Sequence, residues 1–252
     1  LSGNKGVDDL YIPPTAFHLL HDDPSLCHED RSIYLATSYL KPTNISDLVQ
    51  KVGHGRRKVV AGCRRLVEAG WLRLHAQGRH LKPLCWVPHR QQRILVAELE
   101  NDFDMAPLGG EFLMGGLMAL WIDCPRIISN ARPDFLLNPK TGERLELDRY
   151  IEGLLAAEFN GIQHYSETAK YNSKQVGDIK AYDLMKEGMC KKAGIPLISV
   201  ATEDLCVEGM KRLFPPGTPL HYFDVEEPYA RGLDKICAGY RRKVARFQPK
   251  AQ

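Results

Sequence analysis

The chain has 252 residues, of which 44% are hydrophobic and 26% charged, and a formal net charge of +3. These are ordinary values for a soluble globular protein, with room for two domains. No apolar run approaches the roughly 20 residues of a membrane span, so no membrane partner is expected. The seven cysteines form no C-x-x-C pair and are odd in number. That argues against a zinc ribbon or a disulfide framework. Free thiols in a reducing cytoplasm are expected, most of them as small core residues.

Residues 1–30 are rich in Gly, Pro and Asp and read as an extended N-terminal loop. A domain over 31–90 follows. A helix from Arg31 carries Ile33, Tyr34, Ala36 and Leu40 and ends at Lys41-Pro42. Asn44 and Ser46 are candidate caps for a helix over Asp47–Val52. Gly53-His54-Gly55 breaks the chain. A third helix, Arg56–Ala69, turns Val59, Val60, Cys63, Leu66 and Val67 inward and stops at Gly70. Strands over Trp71–His75 and Leu81–Val87 flank a Gln77-Gly78 turn. From Gly53 to Pro83 there are eight Lys/Arg and one acid, Glu68. Residues 91–110 read as a linker with a short helix over Arg93–Glu100. It closes on Ala106-Pro107-Leu108-Gly109-Gly110.

The second domain, 111–214, opens with a buried helix bearing Phe112, Leu113, Leu117, Leu120 and Trp121. Gly115-Gly116 within it predicts close packing. Ile127-Ile128 begins a strand. Arg144–Tyr150 alternates in character, Glu152-Gly153 makes a tight turn, and Leu155–Asn160 alternates again. Across that hairpin Asp148 and Glu158 fall on the same side. Two facing carboxylates form a hard-oxygen site suited to Mg²⁺ or Mn²⁺. Such a metal can activate water and hold a phosphate, which points to a phosphodiesterase. A helix over Gln175–Ala193 follows, with Asp183, Lys186 and Cys190 on one face. Lys186 and Cys190 are assigned to packing or surface. A strand over Pro196–Ala201 leads to a helix capped by Thr202. Residues 215–252 supply a last helix, Ala230–Phe247, and a basic tail. The expected class is α/β (α+β): a mixed sheet flanked by helices, preceded by a smaller helical domain.

The phrase ISDLVQKVGHGRRKVVAGCRRLVEAGWLRL, with its helices, break and hairpin, resembles the winged helix-turn-helix family. The resemblance implies a third helix in the DNA major groove and a hairpin wing on the backbone. Arg56, Arg57, Lys58, Arg64, Arg65, Arg79 and Lys82 would then contact DNA. Residues 110–200 resemble the PD-(D/E)XK (restriction-endonuclease-like) nucleases, in the branch of the very-short-patch-repair and phage homing endonucleases. The matching pieces are Gly110-Glu111, Glu146-Leu147-Asp148, Ala157-Glu158-Phe159-Asn160-Gly161-x-Gln163-His164-Tyr165, Asp183-x-x-Lys186-x-x-x-Cys190 and Pro196–Val200.

That resemblance implies Asp148 and Glu158 as metal ligands, with the main-chain carbonyl of Phe159, and Glu111 reaching in directly or through water. His164 would be the general base or transition-state stabiliser, oriented by Asp183. Asn160 stands where the pattern has lysine, and an amide can be neither cation nor base. His164, Gln163, or a lysine from the next helix (Lys174 or Lys180) would stand in. The implied protein is a metal-dependent DNA endonuclease, cytoplasmic and nucleoid-associated, of a mobile-element, phage-defence or repair system. A double-strand break would favour a homodimer or a partner protein. The competing reading is an inactive DNA-binding regulator or assembly subunit with a nuclease-like scaffold.

Overall fold

The computed structural model describes residues 14–123, 126–139, 141–161, 173–221 and 223–246. The fold is mixed α+β, with helices and two small sheets, and divides into two units, Ile12–Glu98 and Leu99–Gln252. No helix among the described residues is long and apolar enough to cross a membrane.

In the first unit, helices α1 (Pro14–His21), α2 (His28–Leu40), α3 (Ile45–Val52) and α4 (Arg56–Glu68) precede strands β1 (Leu72–Gln77) and β2 (His80–Cys85). The loop expected over 1–30 is corrected in its described part, where α1 and the start of α2 are helical. Asn44 caps α3, its Oδ1 accepting the Asp47 N–H at 3.0 Å, and Gly53 leaves it at a φ of 70°. β1 and β2 pair antiparallel, from Leu72 opposite Cys85 to Gln77 opposite His80.

Ile33, Tyr34, Leu48, Leu66 and Trp71 are buried at the centre of this unit. Tyr34 meets the Trp71 ring edge-on at 5.5 Å, and Trp71 Nε1 donates to Asp23 Oδ2 at 2.7 Å. The N-terminal segment is thereby tied into the core. Asp30 is fully buried. It accepts the Arg65 guanidinium through both carboxylate oxygens, at 2.7 and 2.8 Å, and the Cys27 N–H at 3.2 Å.

Helix α5 (His89–Met105) is longer than the expected Arg93–Glu100, and the unit boundary falls inside it at Leu99. The second unit continues with α6 (Gly109–Trp121), β3 (Ile128–Ala131), β4 (Leu147–Ile151), β5 (Leu155–Asn160), α7 (Ser173–Lys192), β6 (Leu197–Ala201), α8 (Val207–Leu213) and α9 (Pro228–Ala245). The sheet order is β3-β4-β5-β6, with the β3–β4 and β4–β5 pairs antiparallel and β6 parallel to β5. A parallel pair needs a crossover, and α7 supplies it. Thr202 begins a 3₁₀ turn, Thr202–Asp204, rather than capping a helix; Cys206 caps α8 instead.

β5 is buried on both faces from Leu155 to Phe159. On one side Leu155, Ala157 and Phe159 join Leu113 and Leu117 of α6, Met210 of α8, and Leu233 and Cys237 of α9. On the other, Ala156 and Tyr150 pack with Cys190 of α7. α9, expected as a separate C-terminal segment, is part of this core. Of the close packing expected at Gly115-Gly116, Gly115 shows it and Gly116, with its nearest contact at 3.6 Å to Leu233, does not; Gly110 adds a second close approach. A Cβ on Gly110 would fall 2.1 Å from the Phe159 ring, and one on Gly115 would fall 2.7 Å from Arg149 Nε.

Candidate functional site

The β4–β5 hairpin builds the site. Arg149 pairs with Ala157 and Tyr150 with Ala156, across a turn where Gly153 has a φ of 70°. Extending that register places Asp148 opposite Glu158 on the α7 side. β4 starts at Leu147, not Arg144, because Arg144 bridges to Leu137 instead. Asp148 Oδ2 accepts the Phe159 N–H at 2.7 Å. A carboxylate thus replaces a main-chain partner at the end of the ladder, which fixes Asp148 against β5.

Glu158 is 9% exposed. Its Oε2 accepts Lys186 Nζ at 2.8 Å. Its Oε1 is buried with no hydrogen-bond partner among the described residues. Burial first, then the charge of Asp148, push Glu158 up to about 7 against the opposing pull of Lys186. Asp183 adds to the repulsion. Glu111, in the first turn of α6, is raised by burial and then by Asp148, with Arg149 opposing. Asp148 therefore lies within electrostatic reach of both Glu158 and Glu111, and Asp183 within reach of Glu158. A cavity of about 240 Å³ adjoins it, lined by Glu111, Phe159, Gly161, Thr202 and Tyr240 among others.

Lys186, expected to serve packing or surface, is inside rather than at the surface. It is 15% exposed and forms an ion pair with Glu158. Its one-face spacing with Asp183 and Cys190 was visible, but pairing it with Glu158 required knowing which side of the sheet α7 covers. Asn160 Nδ2 donates to Ser199 Oγ on β6. Gln163 and His164 lie outside the described residues, as do the side chains of Lys174 and Lys180.

Does the donor set fit a divalent cation? Among the described residues no three His, Cys, Asp or Glu side chains converge as a closed metal cage would. Mg²⁺ does not need one. It is held by one or two carboxylates, with water and substrate phosphate completing the shell. Two facing carboxylates and a buried carboxylate oxygen with no hydrogen-bond partner among the described residues meet that description.

In the first unit the basic residues divide. Arg57, Lys58, Arg64 and Arg79 are exposed and Lys82 is half-buried. Arg56 is exposed and donates to Ser46 Oγ at 3.0 Å. Arg65, also expected on DNA, is exposed too, but its guanidinium is engaged bidentately by buried Asp30. A groove of about 550 Å³ lies between α4 and the hairpin, with Arg56, Arg64 and Arg79 among its lining.

No protein-family model matches the chain, and no solved structure matches it. Three viral proteins are similar to it in part. "Uncharacterized protein 033L" of Invertebrate iridescent virus 3 is 40% identical over 73 residues, 28% of this chain and 38% of the relative. "Uncharacterized protein 094L" of Frog virus 3 (isolate Goorha) is 36% identical over 81 residues, 31% of this chain and 52% of the relative. "Uncharacterized protein 307L" of Invertebrate iridescent virus 6 is 36% identical over 84 residues, 30% of this chain and 43% of the relative. The chain spans about two fifths to one half of the length of these curated relatives.

Proposed function

We propose that this protein is a metal-dependent DNA endonuclease, with a restriction-endonuclease-like domain in the second unit and a winged helix-turn-helix in the first. The observation that carries the reading is the buried Glu158 beside Asp148, with one oxygen on Lys186 and the other orphaned. Clustered buried carboxylates repel one another unless a cation lies between them. Asp148 and Glu158 would hold Mg²⁺ or Mn²⁺, with the Phe159 carbonyl and, directly or through water, Glu111. When bound, such an ion lowers the pKa of its water and neutralises phosphate charge. Lys186 offers a fixed ammonium beside Glu158, where an attacking water or the developing phosphorane charge would need one. Asp148, tied to the Phe159 amide, keeps its other oxygen directed by the strand pairing rather than by solvent.

The test is cleavage of supercoiled plasmid with Mg²⁺, with Mn²⁺ and with EDTA, by wild type, Asp148→Ala and Glu158→Ala. Metal-dependent nicking lost in both variants is the expected outcome. No cleavage under any metal by a protein that still binds DNA would favour the scaffold reading. Asn160, bound to Ser199 where the nuclease pattern has lysine, is the observation behind that second reading. Double-stranded products would further call for a homodimer or partner protein. A cytoplasmic, nucleoid-associated place follows only if DNA is the substrate.

For the winged helix, Arg57→Gln and Arg64→Gln are expected to weaken DNA binding across sequences, each reducing the salt slope by about 1. Their melting temperatures should not move. Arg65→Gln should do the reverse. It strands the buried Asp30 carboxylate at a cost of about 2 kcal/mol and leaves the slope alone. Salt-dependent binding titrations beside thermal melts separate the two sets. An unchanged slope in Arg57→Gln and Arg64→Gln would remove α4 from the DNA contact.

A further inference from the structure

Arg149 lies on β4 between the strand and α6, half-buried. Its Nη1 donates to the main-chain carbonyl of Asp148 at 2.7 Å, and its Nη2 to that of Glu111 at 3.0 Å. The two carbonyls belong to acids on different elements, 37 positions apart. A planar guanidinium can span both acceptors at once; an ammonium is a point donor on a flexible stem. Gly115 provides the space, since a Cβ there would fall 2.7 Å from Arg149 Nε and 2.8 Å from Nη2. The clamp therefore has two parts, a fork on β4 and a missing side chain one turn along α6.

We propose that Arg149 is a positioning residue that holds the first turn of α6 against β4, so that the Glu111 and Asp148 carboxylates are presented together to a divalent cation. This rests on the metal-site reading above. A catalytic constellation tolerates about 0.5 Å of looseness before it fails, and its supporting contacts set that tolerance. Replacing a partner that orients a ligand costs about 10–100-fold in metal affinity. Arg149 touches neither substrate nor ion in this scheme; it acts through the main chain of two residues that do.

The experiment is a calorimetric titration of the full chain with Mn²⁺, without DNA, alongside amide exchange of the metal-free protein. Arg149→Met should bind Mn²⁺ about 10–100-fold more weakly and exchange faster at the first turn of α6. Gly115→Ala, which displaces the fork without removing it, should do the same. Arg149→Lys should recover part of the affinity, because one carbonyl can still be reached. If Arg149→Met does not fold, Gly115→Ala and Arg149→Lys decide. Wild-type Mn²⁺ affinity in a folded Arg149→Met or Gly115→Ala overturns the proposal. A wild-type chain that does not bind Mn²⁺ refutes the metal site instead. Exchange at α6 then judges the clamp alone: faster exchange in the variants upholds it, and unchanged exchange refutes it.

Discussion

Lys186→Met should lower the rate of plasmid cleavage by roughly 10²–10³-fold, the range seen when one preorganised donor is removed from a reacting centre. Its ammonium is 2.8 Å from Glu158 Oε2, and both side chains are nearly out of solvent. In so enclosed a place a charge counts for more than at a surface. The variant should nevertheless fold. Glu158 already titrates near 7, and without Lys186 it rises further. At neutral pH it then takes up a proton instead of remaining as a buried, unpaired anion. The protonated acid must lose that proton before it can hold a metal. Part of the lost activity should therefore return as the assay pH is raised toward 9, and the part owed to the ammonium itself should not. Lys186→Arg keeps the charge but not the point geometry, and should recover only a fraction. A folded Lys186→Met that cuts as well as wild type would remove this residue from the reaction.

In the metal-free protein, stability should fall as the pH rises from about 4.5 to above 7, by on the order of 3 kcal/mol from Glu158 alone. The sign follows from proton counts. The unfolded carboxyl titrates near 4.5 and the folded one near 7, so the native state binds more protons across that window. The contribution is fully present below 4.5 and is lost as the pH passes through 7. Glu111, raised by burial and by Asp148, adds in the same direction. A cation reverses the pattern, because it binds the ionised carboxylates of the folded state and has more to stabilise at higher pH. Urea unfolding in EDTA at pH 5.5 and pH 8, for wild type and Glu158→Gln, measures this. Taking the difference between the two proteins removes the titrating groups that do not interact with Glu158. Glu158→Gln should lose most of the fall with pH, and Mg²⁺ should raise the wild-type midpoint more at pH 8 than at pH 5.5. The same pH dependence in both proteins would show that Glu158 does not carry the effect.

Much of this protein was legible from local pattern. The β4–β5 hairpin follows from period-2 alternation and a glycine turn, and a two-residue period leaves no freedom about which side chains share a face. That is why Asp148 and Glu158 could be placed together before any contact was known. Asn44, Gly53, Gly70 and Gly78 act as stops and caps for the same local reason. What only the tertiary structure decided are the partnerships between distant elements. Lys186 reaches Glu158 across 28 positions, Arg65 reaches Asp30 across 35, and Arg149 reaches Glu111 across 38. A long cationic side chain looks the same in sequence whether it faces solvent, a phosphate or a buried acid. Its role depends on which helix covers which face of the sheet, and burial of the apolar stripes sets that packing without regard to the cation carried beside them.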